Sequence, residues 1–408
     1  MVHTRVTLAD MLTEQLDAVR ADSLRVLVVG AGVAGRTLAG LLRRAGLHPV
    51  VVDRSAPDAG TGYMLAMMPL VDPVLADLGV TDTYVERSVP LRRYRIRDRA
   101  GRPAREYPMG ELLDRFGDYR GLSRGALLDV LGAAGGPVGH RIVPRVIDQD
   151  GAVVRAALAD HGEAVEFDLV VAADGMHSAT RAMVLPEERV QEFDTGWSSW
   201  VNWLDPDPEF ADLGEELWGD GFFIGTYPVR DALGVIVCAP RARIDQGPER
   251  LTGWIRSRLR RPGGHLERVL AETTLGAGYR WDLVDRRAAD WSVGRVALLG
   301  DAAAGFLPTA GIGACMAMES AWMLAGHLRG IPRERVPEAL RAYERAQRPR
   351  VEAAQRNSRQ LARLVFGEGW WLPVVRDTAT RVLPVRAALG PIRKLLNTRP
   401  PVPVPLSG

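Results

Sequence analysis

One segment of the sequence places a carboxylate and several glycines between two apolar stretches. The apolar run at 296–299 predicts a buried strand, and the apolar spacing over 316–328 predicts a helix. Asp301, Gly311 and Gly313 stand between them. Glycines let the backbone approach a ligand closely, and the start of a helix offers N–H groups that have no partner within the helix. The segment therefore predicts a site at which backbone amides face a bound group.

A glycine-rich turn, Gly30-x-Gly32-x-x-Gly35, follows a predicted strand at 24–29 and opens a predicted helix. The first glycine permits a tight turn, the second lets a pyrophosphate approach the backbone, and the third lets the helix and strand pack closely. Asp53 lies 23 residues after Gly30, at the end of the next predicted strand, where a carboxylate can accept both hydroxyls of a ribose. The pattern predicts a dinucleotide site, and a tight packing turn is the alternative.

A third turn joins a carboxylate to a glycine at the end of an apolar run. Asp174 and Gly175 follow the predicted strand at 168–173. The glycine again permits a close approach of the backbone to a ligand. Taken without its context, this turn could equally be an ordinary strand end.

The overall composition excludes several classes of function. The chain has 408 residues, of which 25% are charged and 47% hydrophobic, as is typical of a globular enzyme of two or three domains. A net charge of +2 gives no global attraction for nucleic acid. Cys238 and Cys315 lie far apart and the seven histidines are scattered, so we expect neither a disulfide nor a metal site. Since the sequence shows no signal peptide and no apolar run of about 18 residues, we expect a cytoplasmic protein without a transmembrane helix.

The order of the predicted elements indicates an α/β fold. Residues 91–108 predict a hairpin that turns at 98–101, residues 124–135 and 338–365 predict helices, and residues 141–174 predict three strands. Strand-like runs dominate from 186 to 290. The predicted units are an N-terminal extension at 1–23, a Rossmann-like domain at 24–90, 109–185 and 291–365, an inserted sheet-rich substrate domain at 91–108 and 186–290, and a C-terminal helical and Pro-rich tail at 366–408.

In this order and spacing, the three turns resemble those of the FAD-dependent monooxygenases of the p-hydroxybenzoate hydroxylase type. The resemblance runs from about residue 24 to about residue 363. It implies that the Rossmann-like domain binds FAD, with the ADP half on the glycine-rich turn and the ribityl chain on Asp301. It implies that Asp174 serves both FAD and a transiently bound nicotinamide, and that Arg124 lies near the FAD phosphates. The FAD-binding residues implied are Gly30, Gly32, Ala34, Gly35, Asp53, Arg54, Arg124, Asp174, Gly300, Asp301, Pro308, Gly311, Ile312 and Gly313.

The resemblance also implies an activity. NADPH or NADH would reduce FAD, O2 would add to give a flavin hydroperoxide, and one oxygen atom would pass to an aromatic or polyketide-like substrate. Enzymes of the same fold that carry out Baeyer–Villiger oxidation, epoxidation or dehydrogenation are alternatives. A non-redox, FAD-bound cyclase is a further alternative.

Departures from the family pattern bear on the substrate. Ala304, Ile312 and Cys315 stand where many relatives carry polar side chains, and Trp200-Val201-Asn202 stands where relatives often have Trp-Arg-Gly. These changes predict an unusually apolar pocket and argue against a small, charged benzoate. The sequence gives candidates for catalytic residues only. Asn202 and Tyr227 are candidates for the substrate face, with a place in the core as the alternative, and Pro308 is a candidate in the loop that would face both the ring and the substrate.

The end of the chain is basic. Residues 341–408 contain 13 basic and 4 acidic residues, and Trp370, Trp371 and Leu372 lie among them. We expect this tail to dock over the mouth of the substrate site, and a weak peripheral membrane contact is the alternative. The expected partners are a small aromatic or apolar substrate and O2. We expect a monomer or a homodimer.

Overall fold

The computed structural model describes residues 8–57, 62–158, 164–259, 263–275, 278–366, 390–398 and 400. The α-helices are α1 (Leu8–Val19), α2 (Val33–Arg44), α3 (Asp72–Leu78), α4 (Thr81–Arg87), α5 (Met109–Leu113), α6 (Arg124–Gly135), α7 (Ala179–Val184), α8 (Arg241–Ile244), α9 (Pro248–Arg258), α10 (Gly264–Leu275), α11 (Asp301–Ala304), α12 (Gly313–Leu328), α13 (Val336–Phe366) and α14 (Gly390–Asn397). The strands are β1 (Val26–Val29), β2 (Val50–Asp53), β3 (Met64–Met67), β4 (Val89–Pro90), β5 (Arg93–Arg97), β6 (Pro103–Pro108), β7 (Arg120–Ser123), β8 (Gly139–His140), β9 (Pro144–Gln149), β10 (Val154–Leu158), β11 (Ala164–Phe167), β12 (Leu169–Ala172), β13 (Val190–Leu204), β14 (Leu213–Trp218), β15 (Phe223–Val229), β16 (Ala232–Pro240), β17 (Tyr279–Ala288), β18 (Ser292–Val293) and β19 (Val296–Leu298).

A six-stranded sheet forms the centre of the Rossmann-like part of the chain. Its strand order is β18-β19-β12-β1-β2-β8, and all neighbours are parallel except the pair β18 and β19. Continuous apolar strands such as β1 and β12 are fully buried, as expected for a parallel sheet covered on both faces. The α/β fold class and the Rossmann-like sheet predicted from the sequence are confirmed.

A seven-stranded sheet is assembled from two distant stretches of the chain. Its order is β17-β13-β16-β15-β14-β5-β6, so the hairpin of β5 and β6 joins strands that come about a hundred residues later. The predicted hairpin and its turn at 98–101 are confirmed, since Gly101 N–H donates to Asp98 O and Gly101 has a φ of 83°. We call one face of this sheet the aromatic face, defined by Trp203, Trp218, Tyr227 and Trp281. The opposite face is covered by α8, α9 and α10, and we call it the helix-covered face.

One expectation from the sequence needs correction, and another is confirmed but incomplete. Residues 141–174 contain four strands rather than three, because Asp168 separates β11 and β12, which belong to different sheets. Strands dominate the stretch 186–290 as predicted, and it also contains α8, α9 and α10. The apolar positions of these helices bury the helix-covered face, and the spacing of Leu266, Val269 and Leu270 in α10 is the helical signal in the sequence.

Both ends of the described chain are helical. The helix α1 packs Leu12 and Leu16 against β1 and β2, and α13 contains the helix predicted at 338–365. Arg350 of α13 donates hydrogen bonds to the Leu395 carbonyl and to Thr398, which fixes α14 on the Rossmann-like part. Trp370, Trp371 and Leu372 lie outside the described residues. Among the helices that the structure describes, none is long and apolar enough to span a bilayer.

Candidate active site

The glycine-rich turn between β1 and α2 leaves space for a ligand at one glycine only. A Cβ on Gly30 would lie 2.3 Å from the Ala173 carbonyl oxygen, and one on Gly35 would lie 1.8 Å from the Gly30 carbonyl oxygen. Both glycines are therefore required by packing. Gly32 is the N-cap of α2, and a Cβ on Gly32 would meet no protein atom within 4 Å. The first N–H groups of α2 face this space with no side-chain cap, which suits an anionic group.

Asp53 ends β2 beside this turn and is held in place by two backbone amides. Its carboxylate accepts hydrogen bonds from Ala31 N at 2.6 Å and from Ser55 N at 2.7 Å. Burial alone would raise the pKa of Asp53, but these hydrogen bonds outweigh it and the pKa is lowered. A carboxylate has about four acceptor positions, so the ionised Asp53 keeps capacity for ribose hydroxyls. The predicted neighbour Arg54 is exposed.

The Asp174 carboxylate is used within the protein. It accepts a hydrogen bond from Ser178 Oγ and one from Thr180 N at 3.0 Å, so it caps α7. Gly175 has a φ of 87° with no protein atom within 4 Å of a Cβ, so the backbone itself is open there. Arg181 donates to the Ala302 carbonyl at 2.9 Å and so joins this turn to α11. The contact to FAD predicted for Asp174 stays a prediction, and the geometry favours its backbone neighbour Gly175 as the contacting group.

Asp301 opens α11, immediately after Gly300 at the end of β19. Gly300 has a φ of 60°, and a Cβ there would lie 2.7 Å from the Ala34 Cβ, so the two turns pack together. The Asp301 side chain is accessible to water, yet protein surrounds it on most sides, as at the bottom of a cleft. This environment raises the pKa of Asp301 to about 6, against the opposing charge of Arg124. The described part of the chain provides no hydrogen-bond donor to this carboxylate, so its acceptors face the cleft.

The loop that follows Asp301 is held from behind by α13. Gln355 Nε2 donates to the Gly305 carbonyl at 2.6 Å, and Ser358 Oγ donates to the Leu307 carbonyl at 3.1 Å. Pro308 and Gly311 are exposed on the other side of the loop, and Gly311 adopts the left-handed conformation with a φ of 60°. The loop therefore presents backbone at Pro308 and Gly311 while its interior is fixed.

Three of the departures from the family pattern lie in the core. Ala304 and Ile312 are each 2% exposed, and Cys315 is fully buried. These side chains pack within the main core below α12. Their apolar character therefore stabilises the loop and the start of α12, and Ala304 also borders the small cavity that contains Asp301.

The aromatic face of the large sheet lies opposite the Asp301 loop. Trp203, Trp218, Tyr227 and Trp281 are half-buried and share one apolar cluster with Tyr63 and with Leu307 of the loop. The rings of Tyr63 and Trp281 have centroids 5.3 Å apart. Burial raises the pKa of Tyr63 to about 12, and the nearby Asp301 charge adds to this effect. Tyr63 thus joins the aromatic face to the surroundings of Asp301.

The two residues predicted for the substrate face point to opposite sides of the sheet. Asn202 lies between Trp200 and Leu204 on β13, on the helix-covered face, and neither its Nδ2 nor its Oδ1 has a hydrogen-bond partner among the described residues. The structure therefore does not bring Asn202 to the cleft. Tyr227 does lie on the aromatic face, where its hydroxyl donates to Glu216 Oε1.

Glu216 is the residue of this cleft that sequence reasoning missed. Glu215 and Glu216 are adjacent on β14, and the alternation of the strand points them to opposite faces. Glu215 pairs with Arg95 and Arg97 on the helix-covered face, whereas Glu216 lies with Trp218 on the aromatic face. Since both faces of β14 carry glutamate and apolar residues, the sequence pattern gave no signal for which face meets the cleft.

The residues present fit the FAD that the resemblance implies. The open space at Gly32 and the uncapped start of α2 suit a pyrophosphate, and the free acceptors of Asp301 suit ribityl hydroxyls. The start of α12 after Gly313 provides a second set of backbone N–H groups beside the same cleft. The described residues contain no group of three or more side chains that could hold a metal ion.

The raised pKa of Asp301 predicts a pH-dependent affinity for FAD. If the ionised carboxylate accepts ribityl hydroxyls, FAD binds best above pH 6 and its affinity falls as the pH drops through about 6, because the acid must first lose its proton. Titration of the apoprotein with FAD between pH 5 and 8, followed by flavin fluorescence, measures this change. In Asp301→Asn the affinity should be lower and nearly constant over this range. A pH-independent affinity in the unmodified protein would contradict this role of Asp301.

Comparisons with known proteins agree with this geometry. A family model described as "FAD binding domain" matches residues 23–358. The 3-amino-4-hydroxybenzoate 2-monooxygenase of Streptomyces cremeus is 32% identical over 355 residues, which cover 83% of this chain and 87% of that protein. The 2-heptyl-3-hydroxy-4(1H)-quinolone synthase of Pseudomonas aeruginosa is 29% identical over 375 residues, covering 88% of this chain and 94% of that protein.

Solved structures share the fold over most of the chain. Klebsiella pneumoniae HpxO complexed with FAD and uric acid superposes with a TM-score of 0.83 at 24% identity, covering 92% of this chain and 97% of that chain. P. aeruginosa PqsL in complex with 2-aminobenzoylacetate gives a TM-score of 0.74 at 21% identity, covering 87% of this chain and 99% of that chain. At these identities the likeness establishes the shared fold.

Proposed function

The chain belongs to the FAD-dependent monooxygenases of the p-hydroxybenzoate hydroxylase type, and on that premise we propose that it oxygenates a planar, uncharged aromatic substrate carrying an N–H or O–H group. The observation that carries this proposal is the aromatic face, where four half-buried rings lie opposite the Asp301 loop. Such a surface favours a flat ring system over a flexible or highly polar one. Two similar enzymes carry a nitrogen-bearing aromatic in their names, a quinolone and an aminohydroxybenzoate.

Bound FAD supplies electron exchange with NADPH or NADH and the activation of O2. The chain itself supplies binding, orientation and the exclusion of water. Gly32 and the start of α2 would hold the pyrophosphate, Asp53 the ribose and Asp301 the ribityl chain. The loop at Pro308 would present its backbone to the ring, with Gln355 of α13 keeping that backbone in place.

The substrate side is shaped by the rings of the large sheet. Trp203, Trp281 and Tyr227 would bind the faces and edges of the substrate, while the buried Leu307 and Phe366 close the apolar cluster behind them. Exclusion of water by these rings and the substrate would strengthen each polar contact to the substrate.

The proposed reaction predicts a defined product. Incubation with FAD, NADPH or NADH, O2 labelled with ¹⁸O, and a panel of phenols, quinolones and aminophenols should give one product that contains a single labelled oxygen atom. A product that has lost two hydrogens without gaining oxygen would instead indicate dehydrogenation. Oxidation of the nicotinamide that yields only hydrogen peroxide with every compound would contradict the proposed substrate class.

We propose that the domains follow the boundaries expected from the sequence, with residues 91–108 and 186–290 forming the substrate domain. Support comes from the seven-stranded sheet, which combines strands of only these two stretches. We also propose that the enzyme works in the cytoplasm. Both cysteines, Cys238 and Cys315, are free and buried, which suits a reducing compartment.

A further inference from the structure

Glu216 is a carboxylate in an otherwise apolar and aromatic surface. It lies on β14 beside Trp218 and faces the cleft side of the sheet, where it is half-buried. Trp218 Nε1 donates to its Oε2 at 2.8 Å, and the Tyr227 hydroxyl donates to its Oε1. Tyr94, on the adjacent strand β5, lies near the same carboxylate, whose charge helps to raise the pKa of Tyr94. Two donors, one from β14 and one from β15, therefore fix the orientation of Glu216.

The tyrosines near Glu216 stay protonated and add no charge. Burial, followed by the charge of Glu216, holds the pKa of Tyr94 and of Tyr227 well above the ordinary value of a phenol. A carboxylate has about four acceptor positions, and the hydrogen bonds from Trp218 and Tyr227 occupy two of them. The cluster therefore leaves acceptor positions free on a fixed, partly accessible carboxylate.

Glu216 lies on the sheet face that meets the loop after Asp301. Trp218 and Tyr227, which both donate hydrogen bonds to Glu216, share an apolar cluster with Leu307 of that loop. Strand β15, which carries Tyr227, also packs on the small sheet: a Cβ on Gly121 of β7 would lie 2.3 Å from the Pro228 carbonyl oxygen. Glu216 thus belongs to the face of the large sheet that meets the small sheet and the loop after Asp301.

We propose that Glu216 is the residue that selects the substrate, by accepting one hydrogen bond from a ring N–H or a hydroxyl and by repelling substrates that carry a carboxylate nearby. This inference rests on the proposed function, because it assigns the ligand of the same cleft. A fixed acceptor rejects an analogue that lacks the donor because the carboxylate would then lose a partner and remain desolvated. Repulsion between like charges acts against benzoate-type anions.

Three aromatic compounds, each differing from the next by one chemical group, test whether Glu216 selects the substrate. In 4(1H)-quinolone the ring nitrogen carries a hydrogen, in 4-chromone an oxygen replaces that N–H group, and chromone-2-carboxylate adds a negative charge. Their dissociation constants are measured on the FAD-loaded protein through the change in the flavin spectrum. We expect the quinolone to bind roughly tenfold or more tightly than chromone, and chromone-2-carboxylate to bind the weakest.

Glu216→Gln should reduce the preference for quinolone over chromone to near one and should strengthen binding of chromone-2-carboxylate by roughly tenfold. A purely structural Glu216 would weaken all three probes together and leave their ratios unchanged. Glu344→Gln is the matched control, since Glu344 also accepts a hydroxyl hydrogen bond, from Ser292 at 2.7 Å, but lies on α13 away from the sheet face.

The outcomes separate this inference from the proposed function. Equal binding of quinolone and chromone to the unmodified protein would overturn the inference, even if Glu216→Gln fails to fold. A retained preference in Glu216→Gln would overturn it as well. Turnover of NADPH or NADH with oxygenation of a compound that has no donor would preserve the monooxygenase and remove the role of Glu216. Selective binding without any turnover would preserve the role of Glu216 and contradict the proposed monooxygenase activity.

Discussion

Gly32→Ala is expected to leave the fold intact and to weaken FAD binding roughly 100-fold. A Cβ at Gly32 would meet no protein atom within 4 Å, and the φ of −75° at Gly32 is accessible to alanine. The substitution therefore introduces neither a clash nor backbone strain. The added methyl group would occupy the space that the pyrophosphate needs. The dissociation constant of FAD, measured by fluorescence quenching on the apoprotein, and the thermal midpoint of the apoprotein together test this expectation.

Two other glycines provide the controls for that experiment. Gly253→Ala also adds a Cβ with no neighbour within 4 Å, within α9, and should leave FAD affinity unchanged while slightly raising stability. Gly35→Ala places a Cβ 1.8 Å from a backbone oxygen and should reduce folded yield. If Gly32→Ala binds FAD as tightly as the unmodified protein, the cofactor does not lie on this turn.

Arg359→Leu is expected to lower the free energy of unfolding by about 3–5 kcal/mol, the usual cost of leaving a buried charge unpaired. Asp285 on β17 is fully buried, and Arg359 of α13 donates three hydrogen bonds to it, the shortest at 2.6 Å. Burial raises the pKa of Asp285 even with Arg359 present. Without the guanidinium, burying the protonated form of Asp285 costs less free energy than burying its ionised form.

The pH dependence of that loss follows from the direction of the pKa shift. Because the pKa of Asp285 is raised in the folded state, its burial costs stability as the pH rises through that pKa, and the cost is larger without Arg359. The deficit of Arg359→Leu should therefore shrink as the pH is lowered from 7 toward 5 in urea unfolding. Arg335→Leu, which breaks the exposed pair with Glu338, should change stability little at either pH. Equal losses for the two variants would contradict the structural role of Asp285.

The parts of the fold that the sequence predicted well are those fixed by local constraints. Gly30 and Gly35 cannot carry a side chain, and Asp53 ends a strand whose apolar residues are fully buried. Both features can be recognised from a few neighbouring residues of the sequence. The helix starting at Arg124 was predictable because Ser123 caps it, accepting a hydrogen bond from Ala126 N at 3.1 Å. The use of FAD followed from the resemblance, and membership in the family confirms it.

The cleft itself could not be predicted in the same way. The two faces of the large sheet both carry apolar and polar residues, so strand alternation alone cannot assign Asn202 or Glu216 to a face. The assignment depends on which face α9 and α10 cover, and that is a long-range property. Burial of the Ile312 and Cys315 side chains in the core is likewise a property of the tertiary structure, and the predicted apolar pocket stays a prediction. Which residues contact FAD stays a prediction.

The central claim is that aromatic ligands in this cleft control a nicotinamide-reduced flavin. The measurement that tests it most directly is the rate at which NADPH and NADH bleach the flavin absorbance of the FAD-loaded protein without oxygen, with and without 4(1H)-quinolone and a panel of phenols. We predict that one ligand class speeds bleaching by roughly an order of magnitude or more, as expected where a bound ligand favours the reactive arrangement. A flavin that neither nicotinamide bleaches, whichever ligand is present, would contradict the claim.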